Sequence, residues 1–505
     1  MHVYTAKTKS RSGKHLIVCA AALFIGYLCF FSGRWYVSSF GRLGFDSVLF
    51  TLTSGVSGVQ SGQITGFLTQ GFLPAVLFTA LTVWLLARQP RLFKKGKYES
   101  SQPSRKFACG CAALLTFGLI LFAAFDVELV QYLLHQNTTG HLYETEYKDP
   151  ATVKITAPEQ KRNLIYIMLE SMETSYLSKE LGGAMEENLI PELYALAKEN
   201  LCFSNSASKV GGYYTTKGAT WTIGSMVAQT AGIPLKTPTE DVNQYGAEGE
   251  AFLPGVTTIN NILSDAGYTQ VLMVGSDATF GGRKPYFEQH GVTEVLDLYS
   301  ARANGIVPKN YFVWWGMEDL HLFNYAKQTI ENLARNAEPF AFTMLTVDTH
   351  RTNGYVCRKC IRLWDEQNEN VISCSSKQVY DFVEWIKQQD FYENTTIIIA
   401  GDHVTMDEGY IERNVAEDYE RTVYNCIINS PVETEHEKNR QFVAADMFPT
   451  TLAALGCEIK GDRLGLGTNL FSGKPTLVEE MGLEAFDGEL LKTSDYYTKN
   501  FFFDR

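Results

Sequence analysis

The sequence predicts an α/β protein in two parts: three membrane-spanning helices, then a domain in which helices flank a mostly parallel sheet. Two observations lead to this fold class. Three long, uncharged apolar stretches lie in the first third of the chain, and from about Asn163 short apolar runs alternate with longer amphipathic ones. Such alternation is typical of helices packed on both faces of a parallel sheet. With 505 residues, 45% of them hydrophobic, the chain can build both parts.

The apolar stretches are Leu16 to Phe31, Phe67 to Ala87 and Phe107 to Phe125. Each is close to the roughly 17–25 residues needed to cross a hydrocarbon core. Lysines and arginines precede the first stretch and separate the second from the third, whereas Asp126 and Glu128 follow the third. The positive-inside rule then puts the N-terminus in the cytoplasm and everything after residue 125 outside. A cleaved signal peptide is the alternative for the first stretch.

These patterns divide the chain into a membrane anchor over residues 1–127, a linker over 128–162 and an extracytoplasmic domain over 163–505. The apolar run Val48 to Leu52 is too short to span and is predicted to be an interfacial or loop segment. Five runs in the outer domain predict buried strands, and they begin at Leu164, Gln270, Phe340, Thr396 and Tyr424. Helical stretches are predicted between them at Ile190 to Glu199, Thr257 to Ala266 and Val379 to Lys387.

Charge and cysteine content narrow the class of protein further. The net charge of -12 argues against a nucleic-acid partner, which would require a basic face. Cys357, Cys360 and Cys374 would face an oxidising compartment. A disulfide from Cys374 to either Cys357 or Cys360 is expected. A zinc site is the alternative, but it lacks a fourth ligand at suitable spacing.

Polar side chains follow four of the predicted strands. Glu170, Ser276 with Asp277, Asp348 with His350, and Asp402 with His403 occupy these positions. Ligands of open α/β sheets bind beyond the carboxyl ends of the strands, so these side chains mark the expected site. Acidic residues at strand ends also serve as helix caps, which is the alternative for any one of them.

The segment "AGDH" is the most specific of these strand ends. Asp402 offers an oxygen and His403 an imidazole nitrogen, a mixture that suits zinc or manganese better than calcium. Glu170, at the end of another apolar strand, is the natural third ligand. The sequence therefore predicts one divalent metal ion, Mn²⁺ or Zn²⁺.

A hydroxyl nucleophile is predicted in "GGYYTTKGATWTIGSMVAQTAGIPL". There a glycine-rich approach leads into a helix-like stretch containing Thr220, Thr222 and Ser225. A hydroxyl at a helix N-terminus lies where backbone N–H groups stabilise an anion, and metal coordination activates it as a nucleophile. On this pattern alone Thr220 is more simply a helix cap; the candidate ligands at the strand ends and the resemblance given below make it the expected nucleophile, with Thr222 as the second choice.

Several spaced blocks together resemble one family. "LIYIMLESME", "GATWTIGSMVAQTAGIPL", "LTVDTHRTNGY", "IIIAGDHVTM" and "DMFPTTLAALG" occur in the order seen in lipoteichoic acid synthases and periplasmic-glucan phosphoglycerol transferases. These enzymes belong to the alkaline-phosphatase/sulfatase-like superfamily. The resemblance covers about Asn163 to Gly456 and is nearer to the glucan phosphoglycerol transferases.

The resemblance implies a role for each matched residue. Glu170, Thr220, Asp402 and His403 would bind the metal, with Thr220 as the nucleophile. His350 would position the phosphate or act in acid/base catalysis, and Arg283 would contact the phosphoglycerol group. Beside Arg283 the chain departs from the family pattern, with Val274, Gly275 and Ser276 in place of an aromatic residue and a histidine.

The implied reaction moves phosphoglycerol from a phospholipid, such as phosphatidylglycerol, to a surface or periplasmic glycan through a phosphothreonine. The implied location is the cytoplasmic (inner) membrane of a bacterium, with the catalytic domain on its outer side. Three alternatives remain. Two are other enzymes, a phosphoethanolamine transferase and an arylsulfatase, and the third is an inactive surface binding protein. The arylsulfatase is disfavoured because no Cys/Ser-x-Pro-x-Arg block occurs at Thr220.

Overall fold

A computed structural model describes residues 10–41, 44–53, 61–92, 105–237, 251–336 and 338–503. The chain forms two compact units, the first within residues 1–45 and 59–133, the second within 46–58 and 134–505. The α-helices are α1 Ser10–Phe40, α2 Phe45–Thr53, α3 Ser61–Gly66, α4 Leu73–Leu92, α5 Arg105–Asp126, α6 Leu129–Gln136, α7 Leu142–Glu146, α8 Pro191–Glu199, α9 Thr222–Ala231, α10 Ile259–Asp265, α11 Arg283–Gln289, α12 Leu298–Ala303, α13 Asp319–Leu333, α14 Gln367–Lys387, α15 Glu408–Asn414, α16 Met447–Ala454, α17 Leu477–Met481, α18 Leu483–Leu491 and α19 Asp495–Phe501.

The first unit consists of apolar helices. Three segments are long and apolar enough to cross a membrane, judged by length and composition: Ile17–Phe40, Ile64–Leu86 and Ala108–Asp126. All three predicted spans are thus present, and the first helix runs on to Phe40. The second segment includes a π-helix at Phe67–Phe72. Polar contacts join these helices, for example the hydroxyl pair Tyr27–Thr82 at 2.9 Å, as is common where small polar groups meet between apolar helices.

The second unit is built on a seven-stranded sheet. The strands of the chain are β1 Ile155–Thr156, β2 Asn163–Leu169, β3 Gly212–Tyr213, β4 Thr269–Val274, β5 Glu294–Leu296, β6 Phe340–Leu345, β7 Thr395–Gly401, β8 Val423–Ile428, β9 Glu458–Ile459, β10 Arg463–Leu464 and β11 Gly467–Thr468. The sheet order is β3-β8-β7-β2-β6-β4-β5. Strands β7, β2, β6, β4 and β5 run parallel, whereas β8 runs antiparallel to β7. The α/β fold class is confirmed.

The five predicted strands are present because each is a continuous apolar run. All residues of β2, β6, β7 and β8 are buried, as expected for strands covered on both faces. The edge strands β3 and β5 were not predicted, since they are only two and three residues long. Helix α14 begins at Gln367, well before the expected Val379. The run Val48 to Leu52 lies in a helix, Phe45–Thr53, rather than in a loop.

The segment before the sheet and the C-terminal segment pack together within the second unit. Strand β1 pairs with β9, and Tyr143 in α7 contacts the rings of Tyr497 and Phe501 in α19 at centroid distances of 5.4 and 5.9 Å. Tyr497 and Phe501 are buried. The aromatic C-terminal stretch therefore contributes to the core of this unit.

The expected disulfide is absent from the structure. Cys357, Cys360 and Cys374 all carry free thiols, and the Cys357 Sγ atom lies 3.7 Å from the Sγ atom of each of the other two. The turn that brings Cys360 next to Cys357 also directs both sulfurs towards Cys374, so the three form one cluster rather than a bonded pair and a separate thiol.

Candidate active site

The register of the sheet places the ends of β2 and β7 side by side. Leu169 of β2 pairs with Gly401 of β7, and the next residues along the two strands are Glu170 and Asp402. The Asp402 N–H donates to the Leu169 carbonyl at 2.9 Å, which keeps the strands paired up to this point. Parallel strands thus present both carboxylates at the same edge of the sheet, as the sequence predicted.

Glu170, Asp402 and His403 form a compact, buried cluster. The His403 Nε2 atom lies 3.3 Å from Asp402 Oδ2 and 3.8 Å from Glu170 Oε1. One ligand atom from each residue falls within 4.8 Å of the others. The three residues are at most 2% exposed. Three charged or polar groups with so little access to water require a compensating partner.

Three buried polar atoms that form no hydrogen bond among the described residues indicate what kind of partner this is. Asp402 Oδ2, His403 Nε2 and Thr220 Oγ1 are buried and have no hydrogen-bond partner among the described residues. Buried polar atoms are nearly always hydrogen-bonded, so two such atoms within the cluster and a third just before α9 need an explanation. The combination of carboxylate oxygens, an imidazole nitrogen and a hydroxyl fits a divalent ion such as zinc or manganese.

The remaining atoms of the cluster hold the ligand groups in position. Asp402 Oδ1 accepts hydrogen bonds from the N–H groups of Ser171 and His403, both at 2.7 Å. The Ser171 hydroxyl donates to Glu170 Oε1 at 2.7 Å. His403 Nδ1 is 2.9 Å from the Val404 carbonyl, which favours the tautomer protonated at Nδ1 and leaves Nε2 as the free ligand atom. Orienting contacts of this kind are typical of metal ligands.

The protonation of the cluster reflects crowded negative charge. Burial raises the pKa of Asp402 to about 7, and the charge of Glu170 contributes to the rise. For His403, burial lowers the pKa, but the carboxylates of Asp402 and Glu170 outweigh it and the net pKa is raised. A bound divalent cation would remove this crowding because it neutralises the two carboxylates.

Helix α9 begins beside these strand ends. The Ser225 hydroxyl donates to the Asp402 carbonyl, and Gln229 Nε2 donates to the Gly401 carbonyl at 3.2 Å. These contacts bring the N-terminus of α9 against the end of β7. Backbone N–H groups at a helix start favour a bound anion, so a phosphate at the metal cluster would also lie near this helix.

The two candidate hydroxyls lie at the start of α9. The helix begins at Thr222 and its cap is Trp221, so Thr220 stands just outside the helix and is not the cap. Thr222 Oγ1 is 3.5 Å from Glu170 Oε2, while the Thr220 hydroxyl oxygen is buried without a hydrogen bond among the described residues. The identity of the nucleophile remains a prediction, with Thr220 first and Thr222 second.

His350 lies in the connection after β6 and packs at a tilt against an aromatic ring. Its ring centroid is 4.3 Å from that of Trp315, and its Nδ1 atom is 2.9 Å from the Arg351 carbonyl. Burial lowers the pKa of His350 to about 4, and the positive charge of His403 adds to the effect. A neutral ring with Nδ1 protonated leaves Nε2 free to accept a proton.

Arg283 is buried in the turn between β4 and α11. Its guanidinium donates to the Ser276 hydroxyl at 2.9 Å, to the Asp277 carbonyl at 2.6 Å and to the Phe280 carbonyl at 3.0 Å. Burial lowers the pKa of Arg283 to about 10, although the charges of Asp277 and Glu170 oppose this change. The observed contacts show that Arg283 fixes this turn. Binding of a phosphoglycerol group by Arg283 remains a prediction.

Two features near the cluster were not expected from the sequence. Trp315 contacts both His350 and Phe280, the latter at a centroid distance of 5.7 Å. A small recess lies between the connections that contain His350 and His403, and its lining includes Thr349, Arg351, Asn353, Asn368, Thr405 and Asp407. Trp315 follows no predicted strand, and the recess depends on how two separate connections pack, so the strand-end pattern could not reveal either feature.

Comparison with known proteins places this site in context. The family model described as Sulfatase matches residues 162–457. Phosphoglycerol transferase I of Escherichia fergusonii is 28% identical over 442 residues, which are 85% of this chain and 53% of that protein. Phosphoglycerol transferase I of Xanthomonas euvesicatoria pv. vesicatoria is 33% identical over 276 residues, 52% of this chain and 38% of that protein. The chain thus spans about half or less of these relatives.

Two solved structures align with much of this chain. The lipoteichoic acid synthase LtaP from Listeria monocytogenes aligns with 63% of this chain and 79% of its own, at 16% identity and a TM-score of 0.49. The integral membrane protein lipooligosaccharide phosphoethanolamine transferase A (EptA) from Neisseria meningitidis aligns with 88% of this chain and 84% of its own, at 12% identity and a TM-score of 0.49.

Proposed function

The chain belongs to the sulfatase family, and from this membership we propose that it is a membrane-bound, metal-dependent phosphoglycerol transferase. Its donor would be a phospholipid such as phosphatidylglycerol, and its acceptor a glycan or another component of the cell envelope. The observation that carries the proposal is the set of buried, unpartnered atoms Asp402 Oδ2, His403 Nε2 and Thr220 Oγ1. The relatives named phosphoglycerol transferase I support the choice of transferred group.

Glu170, Asp402 and His403 would hold the metal ion, with the Thr220 oxygen as a further ligand. When bound, such an ion polarises a phosphoryl oxygen and lowers the pKa of a coordinated hydroxyl. The N-terminus of α9, held by Ser225 against the Asp402 carbonyl, adds backbone N–H groups for the phosphate. These groups would place the phosphorus of the donor beside the Thr220 hydroxyl.

Transfer would then proceed in two displacements at phosphorus. In the first, Thr220 Oγ1 bonds to phosphorus, the bond from phosphorus to the diacylglycerol oxygen breaks, and the threonine proton passes through His350 to that oxygen. In the second, an acceptor hydroxyl attacks phosphorus and its proton passes through His350 to Thr220 as the threonine ester breaks. A neutral His350 can serve both displacements because its Nε2 atom accepts and returns one proton.

The apolar helices of the first unit would keep the enzyme in the membrane that contains the donor. With the orientation given by the positive-inside rule, the reaction would take place on the outer side of the cytoplasmic membrane.

The test is intact-mass and peptide mass spectrometry of the full chain, purified in detergent and incubated with phosphatidylglycerol but no acceptor. We expect a glycerophosphoryl adduct on Thr220. The adduct should be absent in Thr220→Ala and retained, formed more slowly, in Thr222→Ala, which loses only the contact with Glu170. An adduct on Thr222 would move the nucleophile there. Unchanged transfer by Thr220→Ala would refute the threonine intermediate.

The headgroup is tested in the same preparation. Vesicles of phosphatidylglycerol labelled in the glycerol headgroup and vesicles of phosphatidylethanolamine labelled in ethanolamine are offered separately. We expect label on the protein from the first lipid only. Label from ethanolamine alone would replace the proposal with a phosphoethanolamine transferase. No label from either lipid, together with metal bound at Asp402, would favour a binding protein.

A further inference from the structure

Three cysteines form a second cluster of ligand atoms, separate from Glu170, Asp402 and His403. Cys357 and Cys360 lie in the connection between β6 and α14, and Cys374 lies on α14 itself. One sulfur from each falls within 4.8 Å of the others. Cys357 and Cys374 are buried, and Cys360 is partly exposed. The cluster thus joins a long surface connection to a helix of the core.

The spacing of the sulfurs matches metal coordination. The Cys357 Sγ atom is 3.7 Å from Cys374 Sγ and 3.7 Å from Cys360 Sγ. Zinc–sulfur bonds of about 2.3 Å in tetrahedral geometry separate two sulfurs by about 3.8 Å. A disulfide would bring two sulfurs to about 2.05 Å and leave the third thiol apart. Two of the three sulfur–sulfur distances are nearly those of a zinc-centred tetrahedron, and the third pair, Cys360 and Cys374, lies within 4.8 Å.

N–H groups directed at these sulfurs support thiolates. The Lys359 backbone N–H donates to Cys357 Sγ at 3.4 Å, within the tight turn closed by the Cys360 N–H and the Cys357 carbonyl at 3.1 Å. The side-chain amide of Gln378 donates to Cys374 Sγ at 3.6 Å and lies 3.9 Å from Cys357 Sγ. Charged acceptors form the stronger hydrogen bonds, so these donors favour sulfur in the ionised form that binds metal.

The connection between β6 and α14 would gain stability from such a cross-link. Residues 346–366 contain no helix or strand, and loops longer than roughly 12–15 residues without secondary structure are uncommon in compact domains. The side chains of Ile361 and Leu363 are 70% and 63% exposed, so this part contributes little apolar burial. A metal that joins it to α14 would supply stability that packing does not.

We propose that Cys357, Cys360 and Cys374 bind Zn²⁺ through three thiolates, with water or another small ligand in the fourth position. The site attaches the β6–α14 connection, which contains His350, to helix α14. It differs from the predicted catalytic metal site in ligand chemistry, because thiolates prefer soft or borderline ions whereas the other cluster offers oxygen and nitrogen.

The test measures metal content and spectra of the full chain, purified in detergent with Zn²⁺ present and without chelator. Elemental analysis should show one zinc ion fewer per chain in Cys374→Ser than in the unmodified protein. Cys457→Ser, which removes a cysteine outside the cluster, is the matched control and should lose none. Asp402→Asn should lose a different ion, and combining it with Cys374→Ser should lose both.

A second measurement avoids dependence on the folding of any variant. The unmodified chain, loaded with Co²⁺ in place of zinc, should show the near-ultraviolet absorption of cobalt bound to thiolate. Absence of this absorption in the unmodified chain would overturn the proposal. So would an intact mass two hydrogens below the fully reduced value with one thiol of the three left to alkylate, since a disulfide would then occupy the cluster. Both readouts are independent of transferase activity.

Discussion

The ion pair between Glu173 and Arg421 offers the sharpest test of how the candidate site is held together. Arg421 Nε donates to Glu173 Oε2 at 2.8 Å and Nη2 donates to Glu173 Oε1 at 2.6 Å. Arg421 Nη2 also donates to the Thr405 carbonyl at 2.9 Å, and the Thr405 N–H donates to Glu173 Oε1 at 3.0 Å. The pair therefore ties the chain after Glu170 to the chain after His403.

We expect Arg421→Met to destabilise the protein by about 3 kcal/mol. The Glu173 side chain is fully buried, so removing its partner leaves a carboxylate with one remaining hydrogen bond, from the Thr405 N–H. Breaking a buried pair costs about 3–5 kcal/mol. We take the lower end because the Arg421 side chain is 24% exposed and water can reach the space it leaves.

The assay is thermal unfolding of the full chain in detergent, followed by intrinsic fluorescence. At about 2 °C per kcal/mol, as in the larger single domains, the transition should fall by about 6 °C. Adding Glu173→Gln should recover part of the loss, because the unpaired buried charge is then gone. Arg413→Met, which breaks the exposed pair with Glu366, is the matched control and should change the transition little. Equal shifts for Arg421→Met and Arg413→Met would refute the reasoning.

Three further predictions follow from the same contacts. Ser171→Ala removes the hydrogen bond to Glu170 and should weaken metal affinity about 10–100-fold in a metal titration. Ser175→Ala is the matched control, because it removes a buried hydroxyl with no hydrogen-bond partner among the described residues. It should leave metal affinity unchanged. Gly401→Ala should abolish metal binding at the strand ends and lower the thermal transition, since a Cβ there would lie 2.2 Å from the Met172 carbonyl oxygen. Gly488→Ala, with no atom within 4 Å of its Cβ, should be neutral or slightly stabilising, and equal effects of the two would contradict this account. Because the pKa of His350 is lowered to about 4, its ring stays neutral above that value, so transfer should hold down to about pH 5 and fall only as the pH drops through about 4. An acid limb near pH 6.5 in the unmodified chain at saturating metal would contradict this lowered pKa.

Much of the fold could be predicted from the sequence because a strand buried on both faces is recognisable as a continuous run of apolar residues. Strands β2, β6 and β7 are continuous apolar runs, and the polar residue that ends each run is conspicuous. Edge strands β3 and β5 leave no such mark, since two or three residues are too few for a pattern. The start of α14 at Gln367 was missed because its first turns are polar.

The candidate site could be predicted only in part, for the same reason. Glu170, Asp402 and His403 each follow a strand, so their types and positions suggested a metal cluster that the structure brings together. Trp315 contacts His350 across the fold from a stretch that follows no strand, and the fixed turn around Arg283 depends on contacts with Ser276 and Asp277. Spacing along the chain carries no information about such contacts.

The three apolar spans, the family resemblance and the candidate metal-ligand side chains Glu170, Asp402 and His403 could be identified from the sequence alone, because hydrophobic length and residue chemistry are local properties. Tertiary structure decided which atoms meet. The parallel register of Leu169 with Gly401 places the carboxylates of Glu170 and Asp402 together, and the turn at Cys357 gathers three sulfurs where the sequence suggested a pair. Distances between residues far apart in the chain depend on packing of the whole sheet, which no single segment encodes.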